Sequence, residues 1–176
     1  LCNIERNSKN IFTHTMTDSI LTKDTKAKIK RLAYYQIIGG FVGTLLSIYS
    51  IIKSESPASY IYFLATTLMV FNLFTIFSGQ QLITGKVKRG LLLSLICQIP
   101  QIINFTIAGF GFTLVSGILI SIGVDYTQSF KLVMNSGFSM LAFNWNNQDA
   151  SIIFNINIVA AFWTVQIVKI QEENKY

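Results

Sequence analysis

The sequence predicts a mainly α-helical membrane protein with four transmembrane helices and a small β-rich extracytoplasmic insertion between the third and the fourth. Three observations carry that expectation. Of the 176 residues, 51% are hydrophobic and only 12% are charged, about half the charged fraction of an ordinary soluble domain. Stretches free of Asp, Glu, Lys, Arg and His recur at roughly the 20-residue length that crosses a bilayer. Most basic residues fall in segments that four crossings leave on one side of the membrane. A water-soluble globule with a mean hydropathy of +0.49 would expose large apolar patches and aggregate.

The first charge-free stretch, 32–52 (LAYYQIIGGFVGTLLSIYSII), lies between Arg31 and Lys53. The second span is placed at 58–84, after Pro57, which suits a first helical turn, and before Gly85, which suits a C-terminal cap. The third stretch, Gly90 to Val124, holds 35 uncharged residues, too many for one span and too few for two with a turn. Residues 90–107 read as a helix kinked at Pro100, closing a three-helix region over 32–108. From Gly109 onward the period changes to two. Phe110, Phe112, Leu114, Ile118, Ile120, Ile122 and Val124 hold the even positions, interrupted at Ser116, while the odd ones are mostly Gly, Thr, Ser or Asp. That is strand alternation. Weaker versions at 138–145 and 151–158 flank the turn residues NNQD, so 109–150 reads as the β-rich insertion, expected outside the hydrocarbon. The alternative is a fifth span or a re-entrant hairpin at 107–124. The fourth span is placed at 151–169, with 170–176 as a cytoplasmic tail.

Orientation follows from charge. Under this topology the polar segment 1–31, the turn at 85–89 and the C-terminal end from Lys169 onward hold 12 of the 14 basic residues, and only Lys53 and Lys131 fall on the other side. Positive charge is retained in the cytoplasm, so both termini are expected there, in a cell (inner) membrane. Lys23, Lys26, Lys28, Lys30 and Arg31 are placed to contact anionic lipid headgroups at about 1 kcal/mol per charge. The net charge of +6 does not point to nucleic acid, because the charges flank apolar runs. Tyr34, Tyr35, Tyr49, Tyr60 and Tyr62 stand near helix ends, as interfacial aromatics do.

Apart from Lys169 at the very end of the fourth, no proposed span contains a charged residue or histidine, which argues against a proton-coupled transporter. The one histidine, His14, lies in the polar N-terminal segment, and Cys2 and Cys97 form no framework, so no catalytic constellation, metal site or cofactor is expected. Two patterns of small or polar residues remain. Gly39, Gly43 and Ser47 repeat every four residues, a stripe that admits a closely packed neighbour. Ser94, Gln98, Gln101 and Asn104 share one face of the third helix, with Asn72, Thr75 and Gly79 of the second as natural partners. Lipid cannot satisfy such amides, so the stripe must face protein or water. The expected role is assembly or interaction, as an accessory subunit in the bilayer joined to a second copy or a membrane-protein partner. The alternative is a small oligomeric channel or facilitator using the polar stripe.

The order of a YYQIIGG helix, a basic GKVKRG turn, an ICQIPQIINFTIAGFGF segment and a final FNINIVAAFWTVQIVKI resembles uncharacterised small multi-span bacterial membrane proteins over residues 31–170. The resemblance implies a bacterial inner membrane and brings no activity, ligand or site residue with it.

Overall fold

The computed structural model describes residues 22–53, 59–144 and 151–174. His14, Pro57, the NNQD turn and Lys175 lie outside the described residues. The chain folds into α1 (Lys23–Lys53), α2 (Ser59–Ile83) and α3 (Val87–Gln98), followed by a 3-10 turn at Ile99–Gln101. Strands β1 (Ile103–Ile107), β2 (Phe110–Asp125), β3 (Lys131–Asn144) and β4 (Ile152–Asn157) come next, and α4 (Ile158–Glu173) ends the described chain.

This architecture corrects the four-span expectation. Two helices, Lys23–Lys53 and Tyr60–Ile83, are long and apolar enough to cross a membrane. At about 1.5 Å per residue, α1 and α2 exceed the roughly 30 Å hydrocarbon core, while α3 and α4 reach only about 18 and 24 Å. The presumed third span stops because Pro100 sits in the first positions of the 3-10 turn, where its ring ends the α-helical hydrogen bonding. Past it, Ile103, Phe105 and Ile107 alternate with Asn104 and Thr106 and extend as β1. The presumed fourth span is a strand joined to a helix. Asn157 marks the junction, its side chain accepting hydrogen bonds from the Val159 and Ala160 N–H groups at 3.1 and 3.4 Å, an N-cap. A charge-free run cannot reveal that join, because strand and helix alike lack charges here.

The β structure is not a small insertion either. It is one antiparallel sheet in the order β1-β4-β2-β3, with β1 also pairing with β2. The strand at 110–125 replaces the alternative of a fifth span or re-entrant hairpin. β1 and β2 meet through the two-residue turn Ala108–Gly109, both at positive φ (48° and 87°), the backbone of a type I′ hairpin turn. β1 runs antiparallel to β2 and to β4, and β4 runs antiparallel to β2. Three mutually antiparallel neighbours cannot lie flat. β2 must therefore swing round between Phe112, which pairs with β1, and Ser121, which pairs with β4. The register against β3 shifts between Val115 and Ile118, and Gly117 there has φ +98°. Such a bulge supplies the bend, and glycine supplies the conformation.

α1 and α2 form an antiparallel hairpin. A methyl at Gly40 would lie 2.7 Å from the Asn72 carbonyl oxygen, and one at Gly79 would lie 2.8 Å from that of Ala33. α2 ends in a Schellman arrangement, with Lys86 N–H donating to the Gln81 carbonyl at 3.0 Å and Gly85 N–H to that of Leu82 at 3.4 Å. At the end where the chain turns into α3, Ile29, Leu32, Ala33, Leu82, Val87, Leu91, Ile167 and Ile170 form an apolar core. It joins the start of α1, the end of α2, the start of α3 and the end of α4. The sheet then lies along α1, where Gly39 meets Gly117, and not beyond its far end. The β structure therefore packs against the helix and does not stand apart from it.

Candidate functional site

Polarity inverts along the α1–α2 hairpin. Around the apolar core the outside is basic, with Lys23, Lys26, Lys30, Arg31, Lys86, Lys88 and Arg89 exposed. Lys28 pairs with Asp24 at 2.8 Å, an i,i+4 bridge in solvent that adds little stability. From Gln36 onward the order reverses. The buried stripe of α1 becomes Gln36, Gly40, Gly43 and Ser47, facing Asn72, Thr75 and Ser78 of α2, all buried. The outside becomes apolar, with Ile38, Phe41, Leu45, Ile52, Phe63 and Val70 exposed.

The sheet is inverted in the same way. Ile103, Ile156, Ile122 and Met134 stand side by side across β1, β4, β2 and β3, and they are 57, 56, 44 and 74% exposed. Side chains alternate between the faces of a strand. The opposite face accordingly carries Asn104, Asn155, Asn157, Ser121 and Asn135, in register on the same four strands. Asn104, Ser121 and Asn157 of that polar face are buried. Water-soluble sheets put their apolar face inward.

The buried residues join into one seam, and the sequence-predicted polar stripe lies within it. Ser94, Gln98, Gln101, Asn104 and Asn72 are all at most 3% exposed. They occupy three kinds of structure and not one helix face: Ser94 and Gln98 on α3, Gln101 in the 3-10 turn, Asn104 on β1 and Asn72 on α2. Ser94 Oγ lies 3.0 Å from Gln36 Oε1 and 3.0 Å from Ser78 Oγ. Gln101 bridges helix and sheet, its Nε2 donating to the Cys97 carbonyl and its Oε1 accepting from the Ser116 N–H, both at 2.7 Å. The Ser116 hydroxyl donates to Asn72 Oδ1 at 2.6 Å, and Ser139 Oγ accepts the Gly117 N–H at 2.8 Å. Several amides are left over. Both amide atoms of Gln98 and of Asn104, with Gln36 Nε2, Asn72 Nδ2 and Asn157 Nδ2, are buried without a hydrogen-bond partner among the described residues. Left dry, each would cost about 1–3 kcal/mol.

Of the small-residue stripe, Gly39 meets the sheet at Gly117 and not a helix. Gly43 leaves room for two polar groups, since a methyl there would lie 2.5 Å from both Asn72 Oδ1 and Ser139 Oγ. Ser47 is buried and donates to the Gly43 carbonyl at 2.8 Å. Beyond it, Ser47, Ser50 and Ser139 face a cleft of about 230 Å³ whose other walls include Leu64, Ala65 and Leu68. The expected headgroup cluster lies at the opposite end of α1. Lys30 there sits 5.8 Å from the centre of the Tyr34 ring, a cation–π approach.

Gln36, Ser78, Ser116, Ser139 and Asn157 belong to the seam and were missed as candidates. Gln36 had a usable signal, in helical step with Gly40, Gly43 and Ser47, and Ser116 had one as the sole break in the even-numbered apolar series. Among the described residues no group of three His, Cys, Asp or Glu could hold a metal ion. Compared with protein-family models, with curated proteins and with solved structures, the chain matches none of them.

Proposed function

We propose that this chain is a membrane-embedded assembly subunit that joins a second copy through the β3 edge. The observation that carries the reading is the inverted sheet, with the row Ile103–Ile156–Ile122–Met134 outside and Asn104, Ser121 and Asn157 inside. Fully burying one Ile or Met side chain is worth roughly 1.5–3 kcal/mol, so a face of this kind in water would drive aggregation. Lipid removes that penalty. Of the apolar 18-residue windows in the two long helices, 22% and 28% are buried within the chain. The core helix of a soluble protein is mostly buried, so these figures support lipid contact for α1 and α2.

In lipid an unpaired strand edge is expensive, because each unsatisfied backbone group costs several kcal/mol. The β1–β2, β1–β4 and β2–β4 pairings leave β3 as the described strand paired along one side only, with β2. A second copy of β3 is a self-complementary way to cover that edge, as in two-fold association. The reading takes the chain as non-enzymatic, without a cofactor. The basic end is proposed as cytoplasmic, carrying both ends of the described chain, in keeping with the retention of positive charge inside. The resemblance to small bacterial membrane proteins supports an inner-membrane location.

Photo-crosslinkers placed singly along β3 in membranes test the reading. Dimer bands from positions in β3, and none from Ile38 or Val70 on the helices, are expected. A monomer at every β3 position would contradict it. A second reading, the small oligomeric channel or facilitator, is supported by the unpartnered amides of Gln98 and Asn104 in the seam, and solute flux in liposomes would separate it from assembly alone.

A further inference from the structure

We propose that the buried seam is a binding site for small neutral molecules that both donate and accept hydrogen bonds, water first among them, entered through the cleft at Ser47, Ser50 and Ser139. The inference stands on the interior of one chain and does not depend on the assembly reading.

The chemistry of the lining selects the ligand. The seam offers amides and hydroxyls and no charged side chain, so it holds matched donors and acceptors with nothing to neutralise an ion. A cation would exchange its hydration shell for a few neutral oxygens, and an anion for a few N–H groups. A neutral molecule with both functions meets neither penalty. Gln98 and Asn104 each present an unused donor and an unused acceptor, and Asn72 and Gln36 each present an unused N–H.

The cleft supplies the entrance. Its volume of about 230 Å³ exceeds several times the roughly 30 Å³ share of one water. Ser139 connects it to the interior, since Gly43 holds Ser139 Oγ and Asn72 Oδ1 around one point with no side chain between them. From Asn72 the polar contacts continue through Ser116 to Gln101. The cleft itself is lined by Ser47, Ser50 and Ser139 and not by the amides, and the apolar core of Ile29, Leu32, Leu82 and Leu91 lies toward the basic end, so the proposed site is one entered from one end and not a through pore.

Side-chain amide exchange in phosphatidylcholine nanodiscs, read by NMR on protein labelled at Asn and Gln nitrogen, tests this with water as the probe. The Asn72 and Gln98 amide protons are expected to show cross-peaks to water and to exchange faster than backbone N–H groups in the middle of α1. Ala65→Phe, which fills the cleft, should slow that exchange by about tenfold or more, as closing an access route does. Ser50→Phe blocks the rim from an exposed position and gives the same readout if Ala65→Phe fails to fold. Amides as protected as the α1 backbone, or exchange unchanged by either variant that folds, would overturn the proposal.

Discussion

Gly39 of α1 and Gly117 of β2 meet backbone to backbone: a methyl group on Gly39 would lie 2.9 Å from the Gly117 Cα. Helix and sheet can approach this closely because neither carries a side chain at the contact, and Gly117 also takes a positive φ in the bulge. Gly39→Ala should destabilise by about 1–3 kcal/mol through overpacking. Gly117→Ala adds backbone strain of roughly 1–2 kcal/mol. Gly137, with nothing within 4 Å of its added methyl, is the control, and Gly137→Ala should be neutral or slightly stabilising. Unfolding in mixed detergent micelles measures all three. Equal effects at Gly39 and Gly137 would show that the close approach does not exist.

The two glutamines at the end of α3 should behave in opposite ways. Gln101→Leu strips the Ser116 N–H of its acceptor and leaves a buried donor, at a cost of about 1–3 kcal/mol. Gln98→Leu removes a buried amide that has no hydrogen-bond partner among the described residues, so it should be neutral or stabilising in the same unfolding measurement. A large loss on Gln98→Leu would reveal a partner that the described residues do not include.

Ala108 is a correctable strain. It is exposed, sits at φ 48° and precedes Gly109 in the β1–β2 turn, where Asn-Gly is the favoured pair. Ala108→Asn should therefore raise stability by about 1 kcal/mol. Denaturation midpoints of the variant and its parent, compared side by side, check the sign.

The β2–β3 turn carries a pH dependence of defined sign. The Thr127 hydroxyl, and then its backbone N–H, hold the Asp125 carboxyl below its usual range. The N–H contact is 2.8 Å, and the Thr127 hydroxyl oxygen also accepts from the Ile152 N–H at 3.1 Å. A depressed carboxyl stabilises the fold above its unfolded value, and that contribution disappears as pH falls through the lowered folded value. The Thr127 amide resonance should titrate there, below the ordinary aspartate range, and Asp125→Asn should abolish the titration.

How far the sequence could be read depends on which signal each residue carried. The strand at 110–125 was legible because its alternation ran through so many residues, and the burial of Ser94, Gln98, Gln101, Asn104 and Asn72 because neutral amides among charge-free residues have to be enclosed. The helix count was not. Ile103 to Ile107 and Ile152 to Asn157 are strands that adjoin helices without an intervening charge, so a search for uncharged length merged each with its neighbour. Pro100 and the N-cap Asn157 were the local signs of those joins. The packing of the sheet against the helices was hidden for another reason. Contacts such as that of Gly39 with Gly117, 78 positions apart by their numbering, set β2 beside the middle of α1, and no local pattern encodes a contact at that separation.

The claim that the chain is inverted, with an apolar exterior around a polar seam, is tested most directly by nitroxide scanning in bilayers. Labels at Ile38, Phe41, Val70 and Ile122, and at the exposed Lys26 and Lys88, are compared for collision with oxygen, which concentrates in lipid, and with a neutral nickel complex, which stays in water. The account predicts high oxygen and low nickel accessibility at the two α1 positions and at Val70, exclusion of nickel at Ile122 whether lipid or a second copy covers it, and ready nickel access at Lys26 and Lys88. Nickel access at Ile38, Phe41 and Val70 equal to that at the lysines would contradict it.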